Sequence, residues 1–495
     1  MRRMAITDAF FLMNETRQTP MHVGGINLFT LPDGADEQEF QQHLGEVLRY
    51  DGELRRPFGE RLEFGPLGVA GPIHWKRDDQ LDMDYHVRHS ALPKPGRYRE
   101  LFALISRLHS TLLDRNRPMW EMHLIEGLQK RQFATYMKAH HCAIDGVGAM
   151  HLTNSMLSIS PRHRISQSPF SIEAYEAYRK RLGQGKARPA ATPDVRELRV
   201  VAEAIKAQLD TSANVAGALG RYAGVWFGRG GDLAVPWRHV PRTHFNTAVS
   251  GSRRFVAQSW PFARVRAVGK AFDGTLNDAV LAICAGALRR HLIDEGELPA
   301  HSLKAMAPVS LRAEGDLDSA NAVGFLTADL ATHIADPAKR FVAIRQSMQA
   351  GKQQLVGMTP REIQLYTIVT QAPLLLSTVL GLASRFPAFS TVVSNVPGPR
   401  ETMYWNGARL DGIYPASIPF HGFALNITLV SYGANLDFGI AACRRSVPRV
   451  QRLIDYMEEE LVELETTAGL RKAPRKATVT RRRTATSRKA GKTMR

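Results

Sequence analysis

The segment from Phe133 to Gly148 constrains the fold most, because a strand, a polar turn and a helix follow one another directly. The side chains of Phe133–Ala139 alternate as in a strand, and a helical pattern begins near Gly148. Between them lies the run His140-His141-Cys142-Ala143-Ile144-Asp145-Gly146. The pattern predicts an α/β unit with polar side chains at the end of a strand.

Two adjacent histidines close that strand. Successive side chains of a strand point to opposite faces. We therefore expect His141 on the face of Met137 and Ala139, and His140 on the opposite face with Lys138. One imidazole is then presented, and the other is packed or orients its neighbour. An imidazole titrates near neutral pH, so the presented histidine is a candidate general base.

Two further residues of the turn, Asp145 and Gly146, are expected to have structural roles. Asp145 is expected to hold the loop by a salt bridge or hydrogen bonds, and Gly146 to permit a tight turn into the helix. A pair of satisfied core or surface histidines is the alternative to a catalytic site. A metal site is disfavoured because adjacent histidines point apart, and no third ligand stands at a usual spacing. A serine hydrolase is disfavoured because the chain has no GxSxG motif.

Alternating β-rich and helical runs divide the chain. We predict an N-terminal unit over 1–180, a linker with an amphipathic helix over 181–240, and a second αβ unit over 241–470. A basic tail, 471–495, follows. The fold class is therefore α/β (α+β).

Several local elements are predicted within this frame. Residues 276–292 have the composition of a buried helix, and Thr275 with Asp278 forms a capping box at its start. Residues 424–431 and 435–442 flank a short turn and predict a β-hairpin. An amphipathic helix is predicted from Val450 to Leu464.

The formal charge of +18 is unevenly distributed. Eleven Lys and Arg and no acidic residue lie in 471–495, which leaves +7 on residues 1–470. The tail lacks aromatic residues and is expected to be a disordered arm. It would bind phosphates of anionic lipid or nucleic acid, or act only as a solubilising tail. The lack of stacking residues weakens the nucleic-acid interpretation.

Cysteine content and hydropathy indicate the compartment. Cys142, Cys284 and Cys443 lie far apart without CxxC spacing, which favours a reducing compartment and no disulfide framework. No secretory signal peptide is predicted. The uncharged stretch Ile363–Ser384 has the length of a membrane span, but its polar residues and Pro373 favour a buried or interfacial helix.

The motif HHxxxDG at 140–146 resembles the active-site motif of acyl-CoA-dependent acyltransferases related to chloramphenicol acetyltransferase and to peptide-synthetase condensation domains. Residues 4–465 resemble one branch, the bacterial wax ester synthase/diacylglycerol acyltransferases. The supporting motifs are Pro20–Gly25, Tyr85–Arg88, Leu92–Gly96, Arg117–Glu121, Asn277-Asp278, Pro308–Arg312, Asn321 with Gly324, and Ser394–Pro399. Met119 replaces the usual Leu, and Cys443 and Arg449 stand where the family often has Asp.

The resemblance implies roles for single residues. His141 would be the catalytic base, with His140 beside it. Asp145 would be mainly structural, with orientation of the imidazole as the alternative. Gly146, Asn277 and Asp278 would shape the site, although a helix cap explains the last two equally well. Pro118 and Trp120, from the PLW-like motif, would line the acyl channel or pack in the core. Ser394 and Asn395 would line the CoA channel or form a rigid turn.

The resemblance also implies a fold and partners. Two chloramphenicol-acetyltransferase-like subdomains would enclose a central channel, with His141 midway. The substrates would be acyl-CoA and a fatty alcohol or diacylglycerol, with no cofactor, no metal and no specific nucleic acid. The protein would be cytoplasmic and peripherally associated with the inner membrane or lipid inclusions. The alternatives are a non-catalytic lipid- or nucleic-acid-binding scaffold on the same fold and a condensation-type acyltransferase.

Overall fold

The computed structural model describes residues 1–49, 52–183, 213–229, 231–310 and 323–472. The strands within these ranges are β1 Arg2–Arg3, β2 His22–Thr30, β3 Glu60–Phe64, β4 Ile73–Arg77, β5 Val87–Ala91, β6 Trp120–Glu126, β7 Gln132–His140, β8 Arg253–Pro261, β9 Lys304–Ser310, β10 Val323–Asp329, β11 Thr391–Pro397, β12 Tyr404–Trp405, β13 Ala408–Ala416, β14 Leu425–Tyr432 and β15 Asn435–Cys443. The helices are α1 Ile6–Asn14, α2 Glu37–Leu48, α3 Met83–His86, α4 Tyr98–Leu108, α5 Gly146–Ser155, α6 Ile172–Arg181, α7 Ala213–Trp226, α8 Phe262–Ala271, α9 Leu276–Asp294, α10 Pro337–Gln353, α11 Pro360–Val379 and α12 Arg452–Thr467.

The N-terminal part is built on a six-stranded sheet with the order β12-β13-β2-β7-β6-β5. The central strand β7 lies between β2 and β6, and His140 is paired with His22 across β2. Apolar side chains cover both faces of β7: Phe133 and Ala139 belong to one hydrophobic cluster, and Ala134 and Tyr136 to another. The motif turn therefore follows an interior strand of the sheet that is covered on both faces.

The C-terminal part is built on a second six-stranded sheet with the order β10-β9-β11-β14-β15-β8. Helix α9 packs in its core, and most of its side chains are buried. Thr275 caps α9 through the predicted box, with its hydroxyl accepting from the Asp278 N–H and the Asp278 carboxylate accepting from the Thr275 N–H. Strands β11 and β14 run parallel in the middle of the sheet, and β11 leads towards the other half of the molecule.

The two halves are interlocked by β13. It follows β11 in the chain, yet it pairs antiparallel with β2 of the N-terminal sheet. It also lies against β15, where the Ile413 N–H donates to Oδ2 of Asp437 at 2.8 Å. A Cβ on Gly439 would approach the Pro415 carbonyl oxygen to 1.8 Å, so only glycine permits this crossing. The predicted boundary at 241 remains a prediction, but residues 408–416 complete the N-terminal sheet.

Most local predictions are confirmed. They include the strand before the histidines, the helix over 276–292, the hairpin formed by β14 and β15, and the closing amphipathic helix α12. Helix α7 lies within the second half of the predicted 181–240 linker, whose residues 184–212 lie outside the described residues. The tail from 473, residues 311–312 of one motif and Asn321 lie outside them as well.

The uncharged stretch at 363–384 forms most of α11, and Pro373 lies inside this helix. Its beginning is buried at Leu365 and Tyr366, whereas Leu376 near its end is exposed. Within the described ranges, no single helix is long and apolar enough to cross a membrane. Only α8 and α9 taken together reach that length and composition, and they meet at an angle of 96°.

Candidate active site

His140 occupies the buried side of the strand end. Its ring is fully buried, and its Nδ1 accepts a hydrogen bond from the Cys142 N–H at 3.1 Å. A nitrogen that accepts carries no proton, so the proton of the neutral ring is on Nε2. Nε2 lies 3.5 Å from Oε1 of Glu15. The imidazole of His140 is thereby fixed between its own turn and the end of α1.

Glu15 is the partner that sequence reasoning missed. Its Oε1 accepts from the Met21 N–H at 3.1 Å, and its Oε2 pairs with Arg115 at 3.1 Å. Burial raises the pKa of Glu15, but the hydrogen bond and charge of His140 and the charge of Arg115 outweigh burial, so the pKa is lowered. Glu15 is therefore an anion at neutral pH. It follows a helix far from the motif, and no spacing in the sequence connects the two.

His141 is presented on the other side. Its backbone N–H donates to the Met21 carbonyl at 2.8 Å, and its ring stacks on Phe11 with centroids 4.2 Å apart and planes 1° from parallel. The side chain is partly exposed, while Nδ1 is buried and has no hydrogen-bond partner among the described residues.

The environment of His141 favours the neutral ring. Burial lowers its pKa below the ordinary value of a histidine. Its own backbone carbonyl and the charge of Asp145 act in the opposite direction, and His140 adds to the lowering. An unprotonated imidazole at neutral pH can accept a proton, which is the property a general base needs.

Asp145 begins helix α5. Its Oδ1 accepts from the Gly148 N–H at 2.7 Å, and the side chain is buried. This is a helix N-cap, and it fixes the turn between His141 and the helix. Gly146 follows, and a Cβ there would lie 3.5 Å from Cγ2 of Val396. The turn of the motif therefore contacts β11 of the other sheet.

The structure brings Asn277 and Asn395 together beside this contact. Nδ2 of Asn395 donates to Oδ1 of Asn277 at 2.8 Å. Ser394 and Asn395 precede Val396 on β11, and Asn277 and Asp278 lie in the first turn of α9. Oδ1 of Asp278 is buried and has no hydrogen-bond partner in the described part of the chain. Residues predicted from distant parts of the sequence thus lie at one junction of the two sheets.

Pro118 and Trp120 lie in the packed interior. Trp120 is buried, and its Nε1 donates to the Phe58 carbonyl at 2.9 Å. Its ring lies 4.6 Å from His86 and 4.1 Å from Phe170, centroid to centroid. Pro118 is buried just before β6. The structure therefore places Trp120 in the core, which is the packing alternative for this motif.

A second feature that the sequence did not predict is a buried charged network next to His140. Nζ of Lys138 lies 3.1 Å from Oε2 of Glu121 and also donates to the carbonyls of Leu108 and Thr111. Burial raises the pKa of Glu121, but the hydrogen bond from His123 and the charges of Lys138 and Arg88 lower it to about 2. These pairs compensate the charges buried on this face of β7.

Metal coordination was the other chemistry considered for the histidine pair. In the described ranges, no three His, Cys, Asp or Glu side chains lie close enough together to hold a metal ion.

Two mixed sheets, interlocked by a crossing strand and meeting at the HHxxxDG turn, give the chain a fold of two subdomains. The first condensation domain of the CDA synthetase has this fold, with a TM-score of 0.54, 15% identity, and coverage of 94% of this chain and 96% of that one. This similarity concerns the fold alone.

Sequence comparisons define the family. Models of the wax ester synthase/diacylglycerol acyltransferase catalytic domain and of the WS/DGAT C-terminal domain match residues 4–280 and 319–465. The O-acyltransferase WSD of Acinetobacter baylyi is 40% identical over 461 residues, which cover 93% of this chain and 96% of that protein. The probable diacylglycerol O-acyltransferase tgs2 of Mycobacterium tuberculosis is 41% identical over 482 residues, covering 94% and 99%.

A solved structure supports the same family. The wax ester synthase/diacylglycerol acyltransferase from Marinobacter aquaeolei is 38% identical, with a TM-score of 0.74 and coverage of 95% of this chain and 100% of that one. The chain belongs to the wax ester synthase/diacylglycerol acyltransferase family and is an O-acyltransferase. The resemblance and the fold class predicted from the sequence are both confirmed.

Proposed function

We propose that this O-acyltransferase moves a long-chain acyl group from acyl-CoA to the hydroxyl of a fatty alcohol or a diacylglycerol. The observation that carries the proposal is the presentation of His141: a neutral, partly exposed imidazole held on Phe11 at the junction of the two sheets. The names of the relatives support both classes of product, wax ester and triacylglycerol.

The reaction requires only one proton carrier. Nε2 of His141 accepts the proton of the alcohol as its oxygen attacks the thioester carbonyl of acyl-CoA. The tetrahedral intermediate collapses, the C–S bond breaks, and the CoA sulfur leaves with the proton returned by His141. The products are an ester and free CoA. No acyl-enzyme forms, so both substrates are bound at once, and none of these steps uses a cofactor or a metal.

The surrounding residues position this base. The contact of Nε2 with Glu15 positions His140, and Asp145 fixes the start of α5, so the backbone on both sides of His141 is held. General-base catalysis contributes roughly 10²–10⁴-fold to a rate. Simultaneous binding of the two substrates contributes a comparable or larger part through proximity.

We also propose that the protein works at a lipid surface on the cytoplasmic side, as a peripheral protein of the inner membrane or of lipid inclusions. Its acyl acceptors are apolar, and residues 1–470 carry a net +7. Large apolar side chains are exposed near the end of α11, at Leu376, Leu380 and Phe386. Apolar surface combined with basic charge is the usual means of peripheral attachment.

The test is an assay of the purified protein in which acyl-CoA of each chain length is supplied with hexadecanol and, separately, with diacylglycerol. We expect ester formation that falls by roughly 10²–10⁴-fold in His141→Ala. His163→Ala, on an exposed loop, is the matched control and should retain full activity. Ester synthesis at the normal rate by a folded His141→Ala variant, or no ester from any substrate pair, would refute the proposal.

A further inference from the structure

The phenyl ring of Phe11 covers one face of the His141 imidazole. The two ring centroids lie 4.2 Å apart, and the ring planes are 1° from parallel. Phe11 comes from α1 at the beginning of the chain, and no motif of the sequence connects it with the histidine turn. The face of an aromatic ring carries partial negative charge. In this arrangement that face is turned towards the imidazole.

The charge of the His141 ring changes during the proposed reaction. The ring is neutral before the reaction, and it becomes an imidazolium when it takes the proton of the alcohol. A cation within about 6 Å of an aromatic centroid is attracted to the face of that ring, and a neutral ring lacks this attraction. The contact with Phe11 is therefore stronger in the transition state than in the resting enzyme. Interactions of this kind accelerate a chemical step.

Phe11 is held in place by residues of both halves of the molecule. Its side chain packs against a cluster formed by Met21, Ile418 and Phe420, of which the last two follow β13. The Met21 carbonyl also accepts a hydrogen bond from the His141 N–H at 2.8 Å. The same residue thus supports the phenyl ring and the backbone of the histidine. A ring fixed in this way does not need to rearrange when charge develops beside it.

The C-terminal end of α1 supports the two histidines by different means. Arg115 donates to the Leu12 carbonyl at 3.1 Å and pairs with Glu15, which lies 3.5 Å from Nε2 of His140. The aromatic face of Phe11 is turned to His141 instead. A carboxylate in that position would favour the protonated ring before the substrate arrives. An aromatic face stabilises the cation more weakly, which leaves the resting base neutral.

Other titratable groups also surround the histidine turn. Asp145 favours the protonated form of His141, and His140 opposes it. On α1, the charge of Asp8 raises the pKa of Cys142, and Glu15 acts on His140. Substitutions of Phe11 remove none of these groups. A change in the titration of His141 on such a substitution therefore reports the contribution of the aromatic ring.

We propose that Phe11 is a positioning residue for the acyl transfer, and that its aromatic face stabilises the imidazolium of His141 as that cation forms. The inference rests on the proposed role of His141 as the general base. It adds a second contribution to the reaction besides proton transfer, because the contact with Phe11 strengthens when the proton moves.

Steady-state kinetics of variants at position 11 test the contribution to the rate. Phe11→Leu keeps an apolar side chain and removes the aromatic face, so we expect kcat to fall about three- to tenfold with KM little changed. Phe11→Tyr keeps the face and should restore most of the activity. Phe10→Leu removes the neighbouring ring of the same helix and is the matched control, with kcat expected to be unchanged. Equal kcat in Phe11→Leu and the unaltered protein would overturn the proposal.

The pKa of His141 separates stabilisation of the cation from simple packing. Loss of the aromatic face disfavours the imidazolium, so the pKa should fall by about 0.5–1 in Phe11→Leu. If Phe11 only excluded water, its loss would admit solvent and raise the pKa towards about 6.5. An NMR titration of the full chain with isotope-labelled histidine measures this pKa, and the signal that is missing in His141→Ala identifies the ring. An unchanged or raised pKa in Phe11→Leu would contradict the proposal.

A fluorinated ring tests the same point without a change of packing. Replacement of Phe11 by pentafluorophenylalanine keeps the shape of the ring and reverses the partial charge of its face. We expect kcat and the pKa of His141 to fall at least as far as in Phe11→Leu, with thermal unfolding unchanged. A fluorinated protein with normal kcat and a normal pKa would show that only the shape of the ring matters.

The two readouts distinguish failure of this inference from failure of the proposed function. Normal ester synthesis by a folded His141→Ala variant would refute the role of His141 as the base, and with it the contribution of Phe11 to the rate. The titration would still decide whether Phe11 stabilises the imidazolium. Loss of activity in His141→Ala, together with an unaltered pKa in Phe11→Leu, would refute the inference and leave the proposed function standing.

Discussion

Nδ2 of Asn395 donates a hydrogen bond to Oδ1 of Asn277 over 2.8 Å, and this bond joins the end of β11 to the first turn of α9. Asn395 directly precedes Val396, which contacts the start of α5. The bond therefore ties helix α9 to the strand against which the histidine turn packs.

We predict that Asn277→Leu lowers kcat/KM about tenfold without loss of folding, because one side-chain hydrogen bond contributes on the order of 1 kcal/mol. Asn277→Asp retains the acceptor for Asn395 and should retain most of the activity. Steady-state kinetics and thermal unfolding of both variants check the prediction. Equal activity of the two variants would show that the bond does not matter.

The pH dependence of the reaction should follow His141. Burial lowers its pKa, so the imidazole stays neutral as the pH falls through neutrality. We expect kcat/KM to be constant at neutral and alkaline pH and to decline only below about 6.5, the ordinary value for histidine. A decline that begins above pH 7 would contradict the lowered pKa. Soluble short-chain substrates allow the measurement without changes in lipid dispersion.

Removal of the Glu15 carboxylate should affect both stability and catalysis. Glu15→Leu leaves Arg115 and His140 without their buried anionic partner. Breaking a buried pair from one side costs about 3–5 kcal/mol, and Glu15→Gln, which keeps an acceptor, should cost less. Urea unfolding measures both. Glu46→Gln, on an exposed helix face, is the control and should leave the unfolding midpoint unchanged. In Glu15→Gln we expect kcat to fall with KM little changed, because the weakened support of His140 alters the position of the neighbouring His141.

Acid should destabilise the protein between pH 6.5 and about 4. Burial lowers the pKa of His109 to about 3 and that of His291 to about 4, and it lowers that of His22 as well. In the unfolded chain these rings titrate near 6.5, so the unfolded state binds more protons in this window and is favoured as the pH falls. His109 alone corresponds to about 3 kcal/mol between neutral pH and pH 4.

The contribution of Glu121 to the stability of the protein changes at lower pH. Its pKa of about 2 means that its stabilising contribution is present above about 4.5 and is lost as the pH falls towards 2. Urea unfolding at several pH values separates the two windows. His109→Gln should lower the free energy of unfolding at every pH, and it should reduce the change of that free energy between pH 6.5 and 4. His163→Gln should leave this pH dependence unchanged. A slope unaltered by His109→Gln would assign the effect to other groups.

Features set by neighbouring residues were predictable from the sequence. The alternation from Phe133 to Ala139 predicts β7, and Thr275 with Asp278 predicts the cap of α9, because each depends on residues within one turn or one strand. The opposite placement of His140 and His141 follows from the same period of two. The resemblance also named Asn277 and Asn395, and the structure joins these two residues by a hydrogen bond, while their role in the site stays a prediction.

Contacts between distant segments were not predictable. Glu15 follows a helix at the beginning of the chain, and only the folded structure brings it to His140. The crossing of β13 depends on pairing with β2 and on the missing side chain of Gly439, neither of which leaves a local pattern. The position of Trp120 in the core was one of two open alternatives, since an aromatic residue at the start of a strand can pack in the core or line a channel.

The crossing strand also determines when the protein can finish folding during synthesis. The chain leaves the ribosome from its N-terminus, so β2 and β7 are available long before β13. Until Ala416 has emerged, one side of β2 is an open sheet edge, and such edges pair readily with other chains. The histidine turn that follows β7 is therefore synthesised early, but the sheet that carries it is completed late, and the edge of β2 stays unpaired for most of the translation of the chain.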